Sequence, residues 1–196
     1  MTDQRSARTG RRPGANDSRA VILHAALDQF AAHGYGSTTI RAVAAQARVD
    51  PALVMHFFGS KDQLFGAVLD QIADLPERVA QSLHGTPDGL ARRLATVYLS
   101  GWESPDLGPS LRAVLRSASS SEAAAARVRD AIESRMLIQV TKDLPAETAA
   151  RLPFAMAHLF GIATARYILQ VTPVAELPLE ELIETVTPGL DAVLRP

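Results

Sequence analysis

The side chains here whose types and spacing could do chemistry are donors and cations gathered towards the start of the chain. Arg11, Arg12, Thr39, Arg41 and Lys61 can each hold a phosphate oxygen, through a guanidinium, a hydroxyl or an ammonium. His56 can exchange hydrogen bonds with a base edge. Around it, Pro51, Ala52, Leu53, Met55 and Phe57 offer the apolar contact that a thymine methyl takes. This is the chemistry of holding a polyanion, not of making bonds. The sequence has no Gly-x-Ser-x-Gly, no Walker A loop and no Ser-x-x-Lys. His24, His33, His56, His84 and His158 are scattered without metal-ligand spacing. The Gly34-Tyr35-Gly36 run follows a helical pattern rather than a strand and lacks a third glycine, so it is no phosphate loop. No cofactor and no enzymatic activity are expected.

The formal charge of −1 conceals an asymmetry. Residues 1–61 hold eight basic side chains against four acidic ones, and the rest holds 12 against 17. A basic N-terminal third on an acidic remainder is what a polyanion partner at one end requires. An apolar fraction of 47% is enough for a packed core, and cysteine is absent. No apolar run reaches membrane-spanning length, and the N-terminus lacks the apolar stretch of a signal peptide. A soluble, cytoplasmic protein with no membrane partner is expected.

The elements that must position those donors lie between residues 16 and 66. Asn16 or Asp17 caps a helix reaching His33, with Ile22, Leu23, Ala26, Leu27 and Phe30 on one face. Thr38 caps a second from Thr39 to about Gln46. After a turn at Ala47–Val49, Asp50 caps a third, with Pro51 at its first position and Gly59 at its end. Ser60 and Gln63 form a capping box for a fourth. Two short helices joined by a tight turn have the geometry of a helix-turn-helix, whose second helix can enter a major groove. On that helix Val54 and Phe58 face inwards and His56 points furthest out, with Ala52 and Leu53 beside it and Met55 and Phe57 on the flanks.

Residues 18–66 resemble the DNA-binding region of the tetracycline-repressor (TetR) family. The matching positions are Ile22, Leu23, Ala26, Phe30, Gly34, Tyr35, Thr38, Thr39, Ala44, Val49, Phe58, Ser60, Lys61, Leu64 and Phe65. Met55 and Phe57 stand where the family usually has tyrosine or histidine. Arg48 stands where it has glycine, so Arg48 is expected at positive φ. The resemblance implies an all-α protein of about nine helices. It has a basic arm (1–15), a three-helix helix-turn-helix domain (16–66) and a C-terminal bundle for ligand binding and dimerisation (67–196). The arm reads alternatively as a solvated tail.

Beyond Lys61 the pattern stays helical. A helix reaches Leu75, where Pro76 kinks or ends it, and 77–84 continues. Helices follow at 87–100, 109–117, 122–142, 146–171 and 179–194. The segment from Phe154 to Tyr167 is apolar on nearly all sides, so more than one face must be covered. The resemblance implies a homodimer through 146–171 and 179–194; the bland alternative is a central helix of a monomer. It also places a small-molecule effector in the bundle, for which Tyr98, Trp102, Arg116, Met136, Phe154 and His158 are the candidate contacts. The function implied is a ligand-responsive repressor on a palindromic double-stranded DNA operator. A helical ligand-binding or scaffold protein that has lost DNA binding is the alternative.

Overall fold

The computed structural model describes residues 15–85, 88–142 and 144–195. Arg11 and Arg12 lie outside the described residues, as does the side chain of Met136. Among the described residues there is no strand. The α-helices are α1 (Ala15–Ser37), α2 (Ile40–Ala47), α3 (Pro51–Phe58), α4 (Lys61–Leu69), α5 (Leu75–Ser82), α6 (Leu90–Glu103), α7 (Gly108–Ser120), α8 (Glu122–Ala131), α9 (Ile138–Thr141), α10 (Ala146–Ala163), α11 (Thr172–Ala175) and α12 (Leu179–Leu194). A π-helical stretch at Ile132–Leu137 joins α8 to α9 as one rod, and another at Thr164–Ile168 ends α10.

Two hydrophobic cores organise the chain. The first holds Ile22, Ala26 and Phe30 of α1, Val43 and Ala44 of α2, Val54 and Phe58 of α3, and Leu64, Phe65 and Val68 of α4. Phe30 and Phe65 meet edge to face with ring centres 5.2 Å apart, and Tyr35 closes the cluster at 5.3 Å from Phe65. Burying each phenylalanine contributes about 1.5–3 kcal/mol. This core does not stop at α4: Ala113 and Val114 of α7 and Ala124 of α8 belong to it. The second core gathers Leu94, Leu99 and Trp102 of α6 with Leu152 and Leu159 of α10 and Leu182, Ile183 and Leu190 of α12.

The fourth helix stops sooner than expected. α4 ends at Leu69, a 3-10 turn covers Asp70–Ile72, and Pro76 sits in the first turn of α5. The proline ring would collide with the carbonyl of Ile72, so the ladder loosens there and a fresh helix begins where a missing N–H costs nothing. Conversely, α6 runs past Gly101 to Glu103, because Tyr98 and Trp102, one turn apart, both belong in the core. Ser104, before Pro105, is extended and ends it.

No helix among the described residues is long and apolar enough to cross a membrane.

Candidate nucleic-acid interface

Helices α2, α3 and α4, which with α1 make up the N-terminal head, each start on a side-chain cap. Asp50 accepts from the Ala52 amide at 2.7 Å and Ser60 from the Gln63 amide at 3.1 Å, as the sequence predicts. At α2 the cap is one residue later than expected. Thr39 accepts from the Ala42 amide at 3.1 Å, while the buried Thr38 hydroxyl donates back to the carbonyls of Gly34 (2.8 Å) and Gln29 (3.1 Å). The Gly34 carbonyl lies where the ladder of α1 breaks, so the Thr38 hydroxyl supplies a donor there. Thr39 stays exposed, so its O–H is left to donate to a phosphate at the start of α2. Arg48 takes φ 56°, ψ 43°, the left-handed turn conformation expected of it.

The third helix is held from behind and open in front. Val54 and Phe58 are 0% and 6% exposed, whereas Met55 is 44% exposed and Pro51, Ala52 and His56 are exposed beside it. Eight residues make a rod of about 12 Å, the width of a major groove. Leu53 and Phe57 are half-buried against the head core. Phe57 meets His56 edge to face at 5.4 Å and lines a cleft towards α8, which draws it away from the outward set. Arg41 is exposed in the first turn of α2.

Lys61, expected at a phosphate, also makes contacts within the subunit. It is turned inwards: its Nζ donates to the Tyr35 carbonyl at 2.7 Å and the Thr38 carbonyl at 2.9 Å, and lies 4.3 Å from the centre of the Tyr35 ring. The ammonium therefore closes the connection between α1 and α2 with two of its three N–H groups. Burial pushes its pKa below the ordinary lysine value, with Asp62 opposing.

The neighbouring Asp62 accepts from the Tyr35 hydroxyl on one oxygen and from Arg127 of α8, at 3.1 Å, on the other. The Tyr35 hydrogen bond foremost, and Arg127 in support, hold its carboxyl below the usual carboxylate range. Burial, then the same hydrogen bond, raises Tyr35 to about 12. Neither Arg127 nor Asp62 stands out in the sequence, because nothing local signals a contact between helices so far apart in the chain.

The five candidate effector contacts whose side chains are described do not converge on one cavity. Tyr98 and Trp102 are buried in the second core, Trp102 stacked on Tyr167 with ring centres 5.3 Å apart. Arg116 of α7 reaches the Ala32 carbonyl of α1 at 3.4 Å. Phe154 is 68% exposed on the outer face of α10, and His158 is exposed beside it. Aromatic and polar types announce burial somewhere, not which surface does the burying. A cleft of about 490 Å³ opens elsewhere, between α5 and α6, lined by Leu75, Arg78, Gln81, Val97, Ser100 and Ser104 among others.

Residues 22–68 match the family model described as bacterial regulatory proteins, tetR family, and residues 88–194 match the tetracyclin repressor-like C-terminal domain. The HTH-type transcriptional repressor Rv3405c of Mycobacterium tuberculosis is 33% identical over 202 residues, covering 100% of this chain and 96% of that protein. The crystal structure of the TetR-family regulator SCO0857 from Streptomyces coelicolor superposes with a TM-score of 0.63 at 27% identity, over 94% of this chain and 98% of the other. NalD, the secondary repressor of the MexAB-OprM multidrug efflux pump in Pseudomonas aeruginosa, shares the fold with a TM-score of 0.67 at 19% identity, over 92% and 96% of the two chains.

Proposed function

This chain belongs to the TetR family of DNA-binding transcriptional regulators, and on that premise we propose that it is a homodimeric repressor reading a palindromic operator with α3. The observation that carries the reading is α3 itself, anchored by Val54 and Phe58 and presenting Ala52, Met55 and His56 outwards. Thr39 and Arg41, with Arg11 and Arg12 of the arm, bind phosphates and set the register. His56 is the main side-chain donor and acceptor on an otherwise apolar face. Specificity therefore rests on thymine methyls and DNA shape more than on a polar code.

The second subunit docks on α10 and α12. Phe154 and Phe160 are 68% and 47% exposed, and Ala157, His158 and Gly161 share their helix. Thr185, Pro188, Gly189 and Ala192 of α12 are exposed as well. An apolar face of this kind is covered in a symmetric pair, which spaces two copies of α3 about one DNA turn or a multiple of it apart. A small molecule that binds the bundle better in a DNA-incompetent arrangement shifts the population off the operator. The cleft between α5 and α6, beside the α4–α5 joint, is the opening through which it acts.

Selection of bound duplexes from a random pool tests the reading. Enrichment of a two-fold symmetric motif, released by at least one compound in a subsequent screen, is the expected result. A pool that shows no enrichment refutes it.

A further inference from the structure

We infer that Asp62, through its pair with Arg127, is the positioning residue that sets the angle of the reading head on the bundle. The inference takes its consequence for DNA from the reading above, and it stands on a separate geometry. Asp62 lies in the first turn of α4, and only Gly59 and Ser60 separate that helix from the end of α3. Whatever fixes the start of α4 therefore fixes the reading helix. Its carboxylate is bonded on one side to Tyr35 of the head and on the other to Arg127 of α8, so one group ties both bodies. Lys61, engaged by the carbonyls of Tyr35 and Thr38, stiffens the same corner.

The head is gripped at a second place, where α1 meets α7. Gly34 sits at φ 70° so close to Ser120 that an added Cβ would lie 2.4 Å from its Oγ, and Arg116 reaches the Ala32 carbonyl from the same helix. There α1 and α7 pack along one another, and that seam is the axis about which the head would turn. On the α8 side Ala124 and Val128 reach the head core, and past them the walls part around a cleft of about 800 Å³. Phe57, Gly66 and Leu69 line one wall, Asp130, Ala131 and Ser134 the other. A cleft supplies no apolar packing to hold α4 against α8. The Asp62–Arg127 pair spans its rim and stops rotation about the α1–α7 pivot.

The test uses the full-length dimer and a duplex recovered from the selection, with half-sites at the preferred spacing and one base pair either side. The two side chains are 42% and 50% exposed, so each pair is solvent-screened. Arg127→Ala should lose roughly two- to fivefold in affinity per head at the preferred spacing. Binding to a single half-site should not change, so the preference for one spacing flattens. Asp62→Asn, which keeps an acceptor for Tyr35, should behave alike, and Arg127→Lys should restore the preference. An unaltered spacing preference in Arg127→Ala, or an equal loss on half-site and full site, overturns the inference.

A second measurement needs no DNA. The chain has no cysteine, so Ala45→Cys in the head and Thr96→Cys in the bundle, both exposed, accept spin labels cleanly. Arg127→Ala should widen the distribution of distances between them, and an unchanged width overturns the inference. A wild-type protein that selects no duplex refutes the DNA-binding reading and leaves the label distances to decide this one.

Discussion

Replacing Gly161 by alanine separates the proposed two-fold face from a solvated one, because the two cases demand opposite signs. Glycine inside a helix costs about 0.5–1 kcal/mol relative to alanine. In the subunit alone, a Cβ at Gly161 of α10, Gly189 of α12 or Gly66 of α4 meets nothing within 4 Å. Taken as a free subunit, all three substitutions should therefore stabilise by that amount, and Gly66→Ala serves as the reference. Gly161, however, continues a stripe with Phe154, Ala157 and His158, at the seven- and three- to four-residue spacings of one helix face. If a partner's helix lies along that stripe, the added methyl enters a packed interface and costs roughly 1–3 kcal/mol. Symmetry repeats the cost, and the helical gain cancels because the free subunit and the dimer share it, so the dimer loses roughly 2–6 kcal/mol, at least about thirtyfold in its dissociation constant. Sedimentation equilibrium reads the dissociation constant, and urea unfolding at two protein concentrations separates subunit from dimer stability. A Gly161→Ala protein that gains stability like Gly66→Ala and dimerises unchanged refutes the placement of the partner on this stripe.

Lys61→Met keeps the apolar stem and removes two charge-assisted hydrogen bonds; with half-burial discounted, the head should lose about 1–2 kcal/mol in urea unfolding. The salt dependence of DNA binding should be unaltered, whereas a fall of about one unit in its slope would return Lys61 to a phosphate. Gly34→Ala combines a φ of 70° and ψ of 177° with a Cβ 3.2 Å from the Arg116 carbonyl, and should cost roughly 2–4 kcal/mol. Adding Ser120→Ala should recover only the part due to the Oγ at 2.4 Å, and full recovery would show that the backbone is unstrained. All three tyrosines, Tyr35, Tyr98 and Tyr167, are raised by burial first, each to about 12. An unfolded tyrosine ionises near 10, so their contribution is complete below about 10 and is lost as the pH climbs towards 12. Phenolate appearing in the folded protein at the ordinary midpoint would contradict this.

What could be read from the residues follows the distance over which each signal acts. The cap of α3 involves Asp50 and Ala52, and that of α4 involves Ser60 and Gln63, so two or three neighbouring positions contain the whole interaction. Arg48 closing a tight turn obliges positive φ by local geometry alone. Between Thr38 and Thr39 the local signal is ambiguous, since both hydroxyls can cap. The choice is made by the Gly34 and Gln29 carbonyls, four and nine residues back, which the kink at Gly34 leaves within reach of Thr38. Pro76 shows the same limit: it forbids a helix through Ile72, and tertiary packing chose the 3-10 turn that relieved the conflict.

Two expectations meet the same physical limit. Phe154 and His158 are expected at an effector cavity because the family resemblance places one in these helices, yet residue type says nothing about whether the subunit's own bundle or a second copy covers them. Lys61 is expected at a phosphate because it sits just beyond the third helix, and nothing in the sequence signals the two carbonyls more than twenty residues away that also engage it. Arg127 lies farther still from Asp62 in the chain, and no periodicity links them. The reading head is therefore specified by short-range chemistry, and its aim by contacts remote in sequence. Exchanging the exposed residues of α3 should change which bases are met and leave the separation of the half-sites as it was, whereas exchanging Arg127 should do the reverse. Base choice and head geometry are separable in this molecule because different ranges of interaction set them.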